Sequence, residues 1–173
     1  MMDFWNGMIF TFTELFNQLH EMRTTLLSFL FLLMLLPVFC YEAKAGRGNM
    51  EEDILTLINR YRAKYGLQAM KMNGTISDAA RRHSKDMANG SIPFGHDGFD
   101  ERTNKLIRAL SPADAAAENV AYGAETAQEV VDMWLHSKGH RKNIMGNYNL
   151  TGIGIAVGRD GTYYYTQIFI HKK

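Results

Sequence analysis

Two residues that could do chemistry flank a single helical segment. Glu118 lies in Ala117-Glu118-Asn119, and His140 lies in the polar run Ser137-Lys138-Gly139-His140-Arg141-Lys142-Asn143. Three roles are open to such a carboxylate: a structural pair with the imidazole that ties two segments together, a contact to a ligand, or a general base. The helix between them is well marked. Thr126-Ala127-Gln128-Glu129 reads as a capping box, with Thr126 as N-cap. Val130, Met133, Trp134 and Ser137 recur at i, i+3, i+4 and i+7, which predicts one buried face. Twelve helical residues span roughly 18 Å, so Glu118 and His140 meet only if the chain folds back. Gly123 and Gly139 allow turns there. Ser137, three residues before His140, reads as a cap or packing residue rather than a nucleophile. Arg141 and Asn143 read as ties from the turn to backbone carbonyls.

The ordered motifs Glu118-Asn119-Val120-Ala121, Met133-Trp134, Gly139-His140-Arg141-Lys142-Asn143-Ile144 and Tyr164-Tyr165-Thr166-Gln167-Ile168-Phe169 resemble the CAP superfamily (cysteine-rich secretory proteins, antigen 5 and pathogenesis-related 1 proteins). The Gly-His-Arg-x-Asn-Ile run is similar to its bacterial SCP-like branch. The resemblance covers about Ile54 to Phe169. It implies an α+β fold, an α-β-α sandwich with a small antiparallel sheet between helical layers.

The resemblance also implies a cleft holding two histidines and two glutamates. His96, in the loop Ser91 to Asp100 (SIPFGHDGFD), matches the first histidine, and Glu118 matches the first glutamate. Ser137 stands where the family has its second glutamate, and Tyr164 where it has its second histidine. His140 is the substitute in the bacterial branch. His96, Glu118 and His140, with water as fourth ligand, would make a three-ligand zinc site, although their spacing by itself carries no metal signal. The resemblance therefore implies a secreted binding module whose polar cleft takes a small ligand, cation or peptide. An extracellular hydrolase, metal-dependent or not, and a lipid carrier are the alternatives. Whether any catalysis occurs is left open, and a monomer is expected.

The positioning elements follow from the pattern. Helix one is expected from about Glu51 to Tyr65, with Glu51, Glu52 and Asp53 in its first turn and Ile54, Leu57, Ile58, Tyr61 and Tyr65 as its stripe. A second helix, Ile76 to Asn89, carries Ile76, Ala79, Ala80, His83 and Met87 on one face, with His83 a packed residue. A short helix, Glu101 to Leu110, precedes a connector at Ser111 to Ala116. A hairpin follows: Gly152 to Val157, an Asp160-Gly161 turn, and Thr162 to His171. Gly152 and Gly154 leave one strand face bare, so another element should approach it closely. Trp134 and Phe169 read as core.

The front of the chain is different. Leu26 to Cys40 is apolar but for Ser28 and Pro37, the length of a signal-peptide core, and Ala43-Lys44-Ala45 has the form of a cleavage site. Residues 1–21 carry three acidic residues and no Lys or Arg. The expected division is therefore a non-structural or mis-started extension at 1–21, a signal peptide at 22–45 and the CAP domain at 46–173. An anchor formed by uncleaved residues 24–40 is the alternative. The expected location is extracellular or periplasmic, with the membrane touched only through the signal sequence. Cys40 is the sole cysteine, so the mature domain would be cysteine-free, which favours a bacterial source. Residues 46–173 hold 17 Lys and Arg against 14 Asp and Glu with no basic block, so nucleic acid is not an implied partner.

Overall fold

The computed structural model describes residues 46–173, together with His20 and Met22. The chain divides into two units, Met1–Gly46 and Arg47–Lys173, and the second carries the sheet and the helices packed on it. The expected extension and signal peptide lie outside the described residues. Among the described residues no helix is long and apolar enough to cross a membrane.

Helix α1 (Gly46–Lys64) is followed by the short strand β1 (Lys71–Met72), α2 (Gly74–Ala88) and α3 (Phe99–Ala109). Then come β2 (Ala113–Tyr122), α4 (Ala127–His136), α5 (Lys138–Ile144), β3 (Leu150–Val157) and β4 (Tyr163–Lys172). The sheet order is β1-β3-β4-β2. The three long strands are antiparallel, and β1 adds a parallel edge to β3. The α-β-α sandwich is therefore present, around a mixed sheet.

Strand alternation sorts the two layers. Tyr165 and Phe169 of β4, Ala117 and Ala121 of β2, and Ile153 and Ile155 of β3 pack with Ile54 and Ile58 of α1 and Val130 and Trp134 of α4. Ile168 and Ile170 face the other way, onto Ile76 and Ala80 of α2 and Leu106 of α3. The bare face of β3 is met by α2. A Cβ at residue 152 would fall onto the backbone of Ile76 and Ser77, and one at 154 onto that of Ala80 and Arg81. The Ser84 hydroxyl, on α2, donates to Gly154 O at 2.9 Å.

Four expectations are corrected. Helix α1 begins at Gly46, so Glu51–Asp53 miss its first turn; Glu51 is buried and pairs with Arg81 of α2 instead. Tyr65 is exposed, and its place in the α1 interior is taken by Leu55 and Arg62. The supposed connector is the start of β2, where an alanine-rich run with helix propensity is pulled into the sheet by pairing along β4. The polar turn after α4 is a second helix, α5, and it carries His140 back toward β2.

Buried Arg62 fixes the chain after α5. It donates to Gln68 O (2.9 Å), Ile144 O (2.7 Å), Gly146 O (2.9 Å) and Tyr148 O (3.2 Å). Burial pulls its pKa below the usual arginine value, and the four carbonyls supply acceptors for the desolvated guanidinium.

Candidate functional site

Glu118 points from β2 into the layer of α2 and α3, the same face as Ile168, its partner on β4. Its side chain is 1% exposed, so its charge needs partners close by. Arg102, on α3, supplies most of them. Its Nε donates to Oε2 (2.9 Å), and its Nη2 reaches Oε2 (2.7 Å) and Oε1 (2.9 Å). His96 Nδ1 donates to Oε1 at 3.0 Å. Each carboxylate oxygen therefore accepts from two nitrogens, with Arg102 Nη2 shared between them.

Helix geometry puts Arg102 there. Gly98 is the α3 N-cap at φ +73°, a left-handed conformation that suits glycine. Its carbonyl accepts from the Arg102 amide (3.0 Å), which places Arg102 in the first turn beneath the loop. The same loop presents His96, whose side chain is 51% exposed, so its second ring nitrogen is the one left for a ligand.

His83, on α2, closes the cluster from below. Its Nε2 donates to Gly95 O (2.9 Å) and lies 3.8 Å from Glu118 Oε1. Burial, and next the positive Arg102, hold its pKa below the ordinary histidine value. The neutral ring thus packs as expected, and it anchors the His96 loop.

His140 arrives from α5. Asn119 Nδ2 donates to its carbonyl (3.3 Å), while Asn143 Nδ2 donates to Glu118 O (3.1 Å) and Asn119 Oδ1 (2.9 Å). Burial, and then the nearby His96, lower the His140 pKa. Asn143 and Arg141, which donates to Leu135 O (2.8 Å), are ties to backbone carbonyls as expected.

The zinc set of His96, Glu118 and His140 is not assembled. Among the described residues, no group of three His, Cys, Asp or Glu side chains is placed to hold a metal ion. The physical reason is Arg102: a guanidinium already fills the place beside the carboxylate that a cation would need. Tyr164 does not reach Glu118 either. It pairs with Tyr122, four strand positions from Ile168, roughly 13 Å along the sheet. Its ring stacks on Tyr122 (6.0 Å), which in turn meets the edge of Phe94 (4.7 Å). Ser137 is the joint between α4 and α5, and among the described residues its hydroxyl makes no capping bond and none to His140.

Above Glu118 opens a groove of about 420 Å³ lined by His96, Phe99, Ala116, Ala117, Lys142, Asn143 and Tyr148. Its polar rim consists of an imidazole, an ammonium, an amide and a phenol, and its one carboxylate is neutralised from within. Both N–H bonds of the Asn143 amide are already spent on Glu118 O and Asn119 Oδ1, so the donors left to the groove are the Lys142 ammonium and the Tyr148 hydroxyl. Arg102 carries no sequence signal as a site residue, and the side-chain bond from Asn143 to Asn119 is not foreseen by the sequence, although both lie in the motifs. Arg102 differs from Arg108 on the same helix only in lying beside the buried stripe of Thr103 and Leu106.

The family described as CAP, the cysteine-rich secretory protein family, matches residues 55–169. The uncharacterized protein YkwD of Bacillus subtilis (strain 168) is 36% identical over 133 residues, covering 76% of this chain and 51% of that one. The chain thus spans about half the length of that curated relative. An extracellular protein containing an SCP domain from Bacillus anthracis superposes with a TM-score of 0.61 at 31% identity, over 75% of this chain and 42% of that one. An outer surface protein of Borrelia burgdorferi shares the fold at 20% identity, with a TM-score of 0.61 over 72% of this chain and 96% of its own.

Proposed function

The chain belongs to the CAP, or cysteine-rich secretory protein, family, and we propose that it is an extracellular binding module that holds a small acceptor-bearing ligand, such as a free carboxylate, in the groove over Glu118. A fold of this kind does not dictate an activity, so the reading rests on the groove itself. The observation that carries it is the clamp on Glu118. With both oxygens held by the Arg102 guanidinium and Oε1 also by His96, the carboxylate serves as a structural counter-charge rather than as a group poised to take a proton from a water or substrate. What faces the groove is the outer nitrogen of His96, the Lys142 ammonium and the rim of Asn143 and Tyr148. Of these, the Lys142 ammonium and the Tyr148 hydroxyl supply the donors for an anion. The location follows the relatives, one described as extracellular and one as an outer surface protein.

The test is an NMR titration of the domain with an acetylated dipeptide bearing a free C-terminal carboxylate, against the same dipeptide amidated. Amide shifts should cluster at His96, Lys142 and Asn143 with the free acid alone, and Lys142→Ala should weaken binding. Equal response to both peptides, or zinc bound through His96 and Glu118, would overturn the reading.

A further inference from the structure

A second, larger groove lies elsewhere on the described surface. It runs between the end of β2 and the outer side of α4, encloses about 900 Å³ and is walled by Tyr122 and Met133 over a floor at Ala124. Both wall residues are unusually bare for their size, Tyr122 at 53% and Met133 at 47% exposed. The sequence pattern places Met133 in the buried stripe with Val130 and Trp134. The helix instead rotates so that Val131 faces inward and Met133 faces out. Phe94, at 46% exposed and itself on the His96 loop, meets the Tyr122 ring edge to face beside the groove. Two of the few large apolar side chains exposed among the described residues therefore line one groove, and a third, Phe94, packs against one of them. Contiguous exposure of this kind marks an interaction surface more often than scattered apolar residues do.

Charge decides what fits. Glu125, Glu129 and Asp132 rim the groove, and none of its lining residues is Lys or Arg. Two of the three carboxylates are held in place. Glu129 Oε2 accepts the backbone N–H of Glu125 (2.8 Å) and of Thr126 (3.1 Å), bonds that lower its pKa and keep it ionised. Asp132 Oδ1 accepts from Gln128 at 2.9 Å. An apolar trough with a fixed negative rim is complementary to a chain whose cationic groups flank an apolar side chain. A polyamine or metal ion would leave Tyr122 and Met133 uncovered. A fatty acid would bring its carboxylate against three others.

We propose that this groove is a docking site for a basic peptide segment that carries an aromatic or aliphatic side chain between lysines or arginines. It is independent of the carboxylate site over Glu118, and it assigns the module a second, oppositely charged face. The aromatic or aliphatic side chain packs between Tyr122 and Met133, and the flanking cations meet Glu125 and Asp132.

The test uses three acetylated, amidated peptides: Lys-Leu-Lys-Phe-Lys, Lys-Gly-Lys-Gly-Lys and Glu-Leu-Glu-Phe-Glu. Their binding to the domain is followed by calorimetry and by amide shifts at residues 122–136. The first should bind, the second at least severalfold more weakly and the third not at all, with affinity falling as salt rises. Met133→Gln and Asp132→Asn, both at exposed positions, should each weaken the first peptide on the order of tenfold while leaving the dipeptide response at Lys142 unchanged. Equal binding of all three peptides, or variants that bind like wild type, would overturn the proposal. So would displacement of the first peptide by a fatty acid, or concentration-dependent self-association abolished by Met133→Gln, which would make the face a contact between copies.

Discussion

Arg102 is the residue on which the polar site depends. It neutralises a carboxylate that is otherwise almost wholly removed from water, and it does so with both prongs of its guanidinium. Removing one member of a buried pair leaves an uncompensated charge, which typically costs about 3–5 kcal/mol. Arg102→Ala should destabilise the domain by that order in denaturant melts. The double variant Arg102→Ala/Glu118→Gln should recover a substantial part, because the orphaned charge is gone. If the single variant melts like wild type, Glu118 is not held as a structural counter-charge, and the carboxylate regains its standing as a general base. His96 stands apart from this, since half its side chain is in solvent and only one of its nitrogens is committed.

Among the elements, the contact that sets the sandwich spacing is α2 lying directly on β3. Two glycines make it possible by having no side chain where the helix backbone passes. Gly154→Ala should therefore be destabilising by about 1–3 kcal/mol or more, because its Cβ would meet backbone at Ala80 and Arg81 rather than a side chain that can swing aside. Gly139→Ala, with nothing close to its Cβ direction, is the matched control and should change stability little. Equal melting shifts for the two would mean that α2 can lift from the sheet without cost. The same helix carries His83, so a lifted α2 would also loosen the His96 loop through Gly95.

Across the folded domain, buried His83 and half-buried His140 link folding to pH. Burial, with Arg102 acting on His83 and His96 acting on His140, depresses both pKa values. In the unfolded chain an imidazole takes a proton near pH 6.5. Below that pH the unfolded state binds more protons than the folded one, so stability falls as pH drops from about 6.5 toward the folded-state values. Above about pH 7 these two groups contribute a constant amount. Denaturant midpoints should therefore fall between about pH 7 and pH 5, before the depressed carboxylates Glu101, Asp114, Glu129 and Asp160 begin to lose theirs at lower pH. His83→Gln should flatten that slope while keeping a donor for Gly95. A slope unchanged in that variant would assign the dependence to other groups.

Legible in the residues alone is whatever lies within a few positions' reach along the chain. The capping box at Thr126 and Glu129 forms as read, the α2 stripe from Ile76 to Met87 is buried, the β3–β4 hairpin closes around Asp160-Gly161, and the bare glycines of β3 do receive another element. Family motifs identified Glu118 and His96 as neighbours, and they are bonded. Tertiary packing set the rest. Arg102 lies 16 residues from Glu118, and although it sits beside the buried stripe of α3, only the packing of α3 against β2 brings it to the carboxylate. The alanines of β2 favour helix until β4 offers them a hydrogen-bonding edge. Met133 sits one position around the helix from Trp134, and which of the two is buried depends on how α4 docks onto β2, through the bond from Trp134 Nε1 to Val120 O at 3.2 Å. Periodicity, capping and turn chemistry are short-range, whereas counter-charges and docking angles are set by segments that meet only after the sheet has formed its register.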